Sequence, residues 1–136
     1  MTILLDTNVI VRHLTQDPVE QGKAASRFLA AAKDLVLTDV IVAETVYVLE
    51  SVYKAPRAVV ATAVQALVAM RNVSAEHRQI IERGIDLYAT ERMDFADAYL
   101  VAHAEASGVP QIASFDRGMD APMRRASTVT RLDPSK

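Results

Sequence analysis

The chain has 136 residues, 51% of them hydrophobic and 24% charged, with 15 basic and 17 acidic side chains and a formal net charge of -2. That balance excludes a disordered chain and argues against an all-over polyanion-binding surface, though net charge misleads where acids are concentrated in one place. The length gives one domain, 1–136, burying roughly two-thirds of its unfolded surface. With no cysteine, disulfides and thiolate metal sites are excluded; with no export signal and no apolar run of membrane-spanning length, a cytoplasmic protein is expected.

Ile3-Leu4-Leu5 reads as a short, fully buried strand from the middle of a parallel sheet, and Asp6 falls at its carboxyl end. Open α/β sheets place their ligands at that edge, and a carboxylate there needs a cation or hydrogen-bond donors. Asp6, Thr7 and Asn8 are also good N-caps for a helix from Val9 to Leu14. Asp17-Pro18 opens the next helix, which runs to about Ala32 with Ala24, Ala25, Phe28, Leu29 and Ala32 on one face. Leu35 to Leu37 is a second strand. Thr38-Asp39 caps a helix from Val40 to about Tyr53.

Glu44 stands out in that helix, because Val40, Ile41, Tyr47 and Val48 share its face. A glutamate in an apolar stripe either reaches water at the stripe's edge or has a partner. Pro56 starts a helix from Arg57 to Met70, with Val59, Val60, Ala63, Val64, Leu67 and Val68 inward. That face is broad enough for a core or a subunit contact. Ser74 to His77 caps a further helix to about Glu91, with Glu82, Arg83 and Asp86 on its solvated side. The chain from about 39 to 107 thus reads as nearly all helical.

Asp94 and Asp97 then open another helix in the manner of an acidic capping box, and both favour the positive end of its dipole. Gly108-Val109-Pro110 ends it. Gln111 to Ser114 is a third strand, Asp116 follows its carboxyl end, and Met119 to Arg125 and Thr128 to Leu132 give a short helix and a last strand. This order is that of an α/β domain with a parallel sheet, whose right-handed crossovers put the strand ends on one edge.

Asp6, Glu44, Asp97 and Asp116 are therefore candidates for one location, with Asp94 a possible fifth. Gathered carboxylates repel one another unless a cation neutralises them, and oxygen-only ligands select Mg²⁺ or Mn²⁺. Such an ion activates water and offsets charge on a phosphodiester. There is no nucleophile-histidine-acid order and no phosphate-binding glycine loop; His13, His77 and His103 have no metal-ligand spacing.

The segments Asp6-Thr7-Asn8 with Val9 to Arg12, Ala43-Glu44, Asp94-Phe95-Ala96-Asp97-Ala98 and Ser114-Phe115-Asp116 resemble the four motifs of PIN domains. The length resembles the VapC ribonuclease toxins of bacterial VapBC toxin–antitoxin pairs. The resemblance covers essentially the whole chain. It implies an α/β fold, a three-layer α/β/α sandwich with a short central parallel sheet, and an Mg²⁺- or Mn²⁺-dependent endoribonuclease. By the same resemblance Asp6, Glu44, Asp97 and Asp116 match the catalytic, metal-holding acids. Asn8 matches the residue that orients the first acid, Ser114 the hydroxyl before the fourth, and Asp94 an auxiliary acid. The partners implied are RNA, a VapB-like antitoxin and a second copy in a homodimer. One position departs from the pattern: Gly118 stands where the family commonly carries another acid, with Asp120 nearby.

Other classes fit less well. A phosphoacceptor receiver domain or a dehalogenase-type phosphatase wants a late lysine, and none occurs between Lys54 and Lys136. A dehalogenase also wants an aspartate where Asn8 stands. A non-catalytic PIN-like binding module would be expected to lack one of the four acids. A PIN nuclease outside a toxin–antitoxin pair is the nearest competitor.

Overall fold

The computed structural model describes all 136 residues. They form two compact units, Met1–Arg78 and Gln79–Lys136. Every strand pairing is parallel, as expected of an α/β chain. No helix is long and apolar enough to cross a membrane.

In the first unit β1 (Ile3–Leu4), β2 (Leu35–Leu37) and β3 (Val73–Ala75) make a sheet in the order β1-β2-β3. The central strand is β2, where Leu35 and Leu37 are fully buried; β1 is an edge strand, with Leu4 69% exposed. The expectation of a fully buried first strand is corrected accordingly: only Leu5, just past the strand, reaches the core. The strand β3 replaces the helix cap expected at Ser74. Its pairing with β2, Leu35 to Val73 and Leu37 to Ala75, supplies what its composition lacks.

Around this sheet stand α1 (Thr7–Thr15), α2 (Val19–Ala31), α3 (Asp39–Ser51) and α4 (Arg57–Ala69). The helices α1 and α2 meet closely at Gly22, where an added Cβ would lie 2.6 Å from the Gln16 Cα. Asn72 donates from Nδ2 to the carbonyls of Leu29 and Ala32, both at 2.7 Å, and so satisfies the end of α2.

In α3 the buried stripe is Val42, Thr45, Val46 and Leu49. Glu44 lies on the other side, exposed, beside Val40 (73% exposed) and Tyr47 (66% exposed). The valine-rich helix offered two apolar stripes, and the fold buries the one that excludes Glu44. In α4, Val60, Val64, Leu67 and Val68 are core and Val59 is exposed, so most of the breadth of that face is used within the fold.

The second unit holds α5 (Arg78–Thr90), α6 (Phe95–Ser107), β4 (Gln111–Ala113), α7 (Asp120–Ala126) and β5 (Thr130–Leu132), with a 3-10 turn at Arg117–Met119. Strands β4 and β5 pair from Gln111–Thr130 to Ala113–Leu132. An added Cβ on Gly84 would lie 3.3 Å from the Tyr99 Cα, which measures how closely α5 and α6 pack. Arg83 is not on a merely solvated face. Its Nε and Nη2 donate to Glu105 at 2.8 and 3.1 Å, and Nη2 also donates to the Ala126 carbonyl at 2.7 Å. The Ser127 hydroxyl donates to the same Glu105 at 2.7 Å. The Arg83 guanidinium and these bonds hold Glu105 below the usual carboxylate range.

Candidate metal centre

In the second unit Asp94, Asp97 and Asp116 line one 270 Å³ hollow, together with Gly118, Met119, Arg92 and Arg125. Two local structures deliver the acids, the start of α6 and the turn after β4. Asp94 is the N-cap residue of α6, Asp97 lies in its first turn, and Asp116 follows β4 at the start of the 3-10 turn. The capping-box expectation for Asp94 is corrected, because its side chain makes no cap hydrogen bond. Its carboxylate is therefore not spent on the helix. Asp97 is half-buried, and its pKa is raised, first by that burial and then by the charges of Asp116 and Asp94. The three acids thus share one electrostatic environment in which ionising Asp97 is disfavoured.

Asp116 is itself oriented by the backbone. Its Oδ1 accepts from the Gly118 N–H at 2.8 Å, and its own N–H donates to the Ser114 hydroxyl at 3.0 Å. Ser114 accordingly acts as an anchor for the fourth acid rather than as a lining residue. Asp120 does not join the acids: Arg131 holds both of its oxygens, at 2.8 and 3.0 Å. It leaves the departure at Gly118 uncompensated.

In the first unit Asp6 is the N-cap residue of α1, directly after β1, and again its side chain makes no cap hydrogen bond. Capping does not explain it, whereas Thr38 does cap α3 by accepting from the Ile41 N–H. The neighbouring Thr7 is buried, and its Oγ1 lacks a hydrogen-bond partner. Asn8 is exposed and lines an apolar hollow of 370 Å³ with Val9, Arg12, Gln21, Ala24, Ala25 and Phe28. Glu44 is exposed on α3. Asp6 and Glu44 thus belong to the first unit, and Asp97 and Asp116 to the second.

A further trio lies at the carboxyl end of the three-stranded sheet. His77 Nδ1 is 2.7 Å from Asp39 Oδ2 and 3.9 Å from Glu76 Oε1, and the Asp39 N–H donates to Glu76 Oε1. The sequence signal was that Asp39 follows β2 while Glu76 and His77 follow its neighbour β3. An ordinary His–carboxylate contact accounts for the grouping.

The second-unit acids suit a hard divalent cation. They offer oxygen donors only, and neither Asp94 nor Asp97 has a cation partner. Arg125, on the rim, is engaged by Glu91 at 3.2 Å. A cation held by Asp94, Asp97 and Asp116 would offset their repulsion and draw electron density from a phosphodiester bound beside it. The chain's own residues prepare for this. Burial and the charges of Asp116 and Asp94 leave Asp97 poised to accept positive charge, and Arg92 and Arg125 place guanidinium groups at the same hollow.

No curated protein matches the chain. Among solved structures, the VapC20 toxin of Mycobacterium tuberculosis, described as cleaving the sarcin–ricin loop, is similar at 16% identity with a TM-score of 0.45, over 96% of this chain and 100% of that one. The sequence model described as the PIN domain matches residues 3–123, and the chain belongs to the PIN domain family.

Proposed function

We propose that the protein is a Mg²⁺- or Mn²⁺-dependent endoribonuclease of the VapC toxin type, with Asp6, Glu44, Asp97 and Asp116 serving the ion and Asn8, Asp94 and Ser114 supporting them. The observation that carries this reading is the shared hollow of Asp94, Asp97 and Asp116, in which burial and like charge raise the pKa of Asp97. Membership of the PIN domain family adds the order of motifs that brings Asp6 and Glu44 into the same proposal. Arg92 and Arg125 suit the phosphates of RNA, since planar guanidinium groups bind phosphate in pairs of hydrogen bonds.

Two partners belong to the same proposal. A VapB-like antitoxin would cover the apolar hollow of Val9, Ala24, Ala25 and Phe28 and offer an arginine or lysine to the acids. A second copy would form a homodimer. An incubation of purified protein with a labelled single-stranded RNA tests the activity directly. We expect fragments in Mg²⁺ or Mn²⁺, none in EDTA, and none from a folded Asp97→Asn protein. Undiminished cleavage by that variant would refute the mechanism.

A further inference from the structure

We propose that Arg131 is a positioning residue for the acid hollow: its guanidinium spans the loop from Ser114 to Asp120 and thereby sets where Asp116 presents its carboxylate. The inference rests on the metal-dependent reading above and concerns a residue that reading does not use. Arg131 Nη1 donates to the Ser114 carbonyl at 2.8 Å, at the start of the loop. Its Nε and Nη2 grip the Asp120 carboxylate at 2.8 and 3.0 Å, at the loop's end. One rigid fork thus bridges both ends, as a planar guanidinium can and a lysine ammonium cannot. The fork is fixed in turn, because Arg131 sits in β5 opposite Ile112 of β4, and the Ser114 N–H donates to the Leu132 carbonyl at 3.0 Å.

Between those two anchors Asp116 is tied on both sides, by the Ser114 hydroxyl at its N–H and by the Gly118 N–H at its Oδ1. The second tie comes from a backbone N–H, at a place where a side chain on residue 118 would crowd the carboxylate. A Cβ on residue 118 would stand 2.9 Å from Asp116 Oδ1, so any side chain there pushes the carboxylate aside. The contact is with the far end of a flexible side chain and leaves the backbone untouched. The loop therefore spends Asp120 on Arg131 and residue 118 on a bare backbone N–H, and both choices serve the aim of one acid.

A merely structural clamp would lower stability without changing how the acids hold an ion. Calorimetric titration of metal-free protein with Mn²⁺ separates the two. Groups that orient a metal ligand typically change affinity 10–100-fold, so Arg131→Gln should weaken Mn²⁺ binding by about tenfold or more. Arg131→Lys should recover only part of the loss. In an Asp116→Asn background, Arg131→Gln should have no further effect, because the acid it positions is gone. Unchanged Mn²⁺ affinity in Arg131→Gln, with only a lower melting temperature, would overturn the inference while leaving the nuclease reading intact. If Arg131→Gln fails to fold, Asp120→Asn, which loosens the same fork from its other end, carries the test: weakened Mn²⁺ binding at an unchanged melting temperature supports the inference, and unaltered affinity overturns it. A wild-type protein that takes up no Mn²⁺ and leaves RNA uncut would overturn the nuclease reading and this inference with it.

Discussion

Replacing Asp97 by Asn should make the metal-free protein more stable and the metal-loaded protein less so. Asp97 is disfavoured as an anion by its burial and by Asp116 and Asp94. A like-charge pair on a helix surface costs about 0.2–0.5 kcal/mol, so removing two such pairs gains up to about 1 kcal/mol, with burial partly screened at this half-open site. For a chain of this size that is a rise in melting temperature of about 2–4 °C in EDTA at neutral pH. The sign follows from the raised pKa. The folded state binds the Asp97 proton more tightly than the unfolded state, so wild-type stability falls as pH rises through the acid range. Below roughly pH 3 the group is protonated in both states, and the difference between the two proteins should vanish. With Mg²⁺ the order should invert, since an ion at ten times its dissociation constant stabilises the wild type by about 1.4 kcal/mol. Differential scanning calorimetry in EDTA and in Mg²⁺ reads all of this. A variant no more stable than wild type in EDTA, or stabilised equally by Mg²⁺, would refute the reasoning.

Glu105→Gln should destabilise the protein by about 1–2 kcal/mol near pH 7, because it weakens the grip of Arg83 on a partly exposed carboxylate. Since the pKa of Glu105 is lowered, that stability is present above the ordinary carboxylate range and lost as pH falls below it; urea titrations at pH 7 and at about pH 3 should show the difference closing. Gly22→Ala drives a methyl group against the Gln16 backbone and should cost about 1–3 kcal/mol, read as a lower urea midpoint; an unchanged midpoint would mean that α1 and α2 part freely. Asn72→Ala strands two carbonyls at the end of α2 and should cost about 1–3 kcal/mol by the same assay.

Much of this was legible in the sequence because it is local. The run Leu35–Leu37 is apolar, Gln111–Ala113 follows the helix stop at Gly108-Val109-Pro110, and both are strands. Pro56 and Gly108 mark helix ends at which both residues indeed stand. What escaped depended on partners far along the chain. Val73–Ala75 becomes a strand through pairing with β2, not through its own composition. Arg83 with Glu105, and Arg131 with Asp120, are bridges whose geometry no periodicity announces. For Glu44 the sequence leaves two readings open, water at the stripe's edge or a partner, because apolar residues flank it on both sides, and only packing chose the stripe that leaves it exposed. The acids behaved differently. Asp6 and Asp94 had a capping alternative that the sequence alone could not dismiss, and their side chains do not take it.

The most direct measurement is the rate of RNA cleavage against Mg²⁺ concentration for the wild type and for Asp6→Asn, Glu44→Gln, Asp97→Asn and Asp116→Asn, each shown to be folded. A nuclease whose ion is held by these four acids predicts a wild-type rate that saturates with Mg²⁺ and disappears in EDTA, with every variant slower by orders of magnitude. Cleavage that survives EDTA, or a wild-type rate from all four variants, would contradict it.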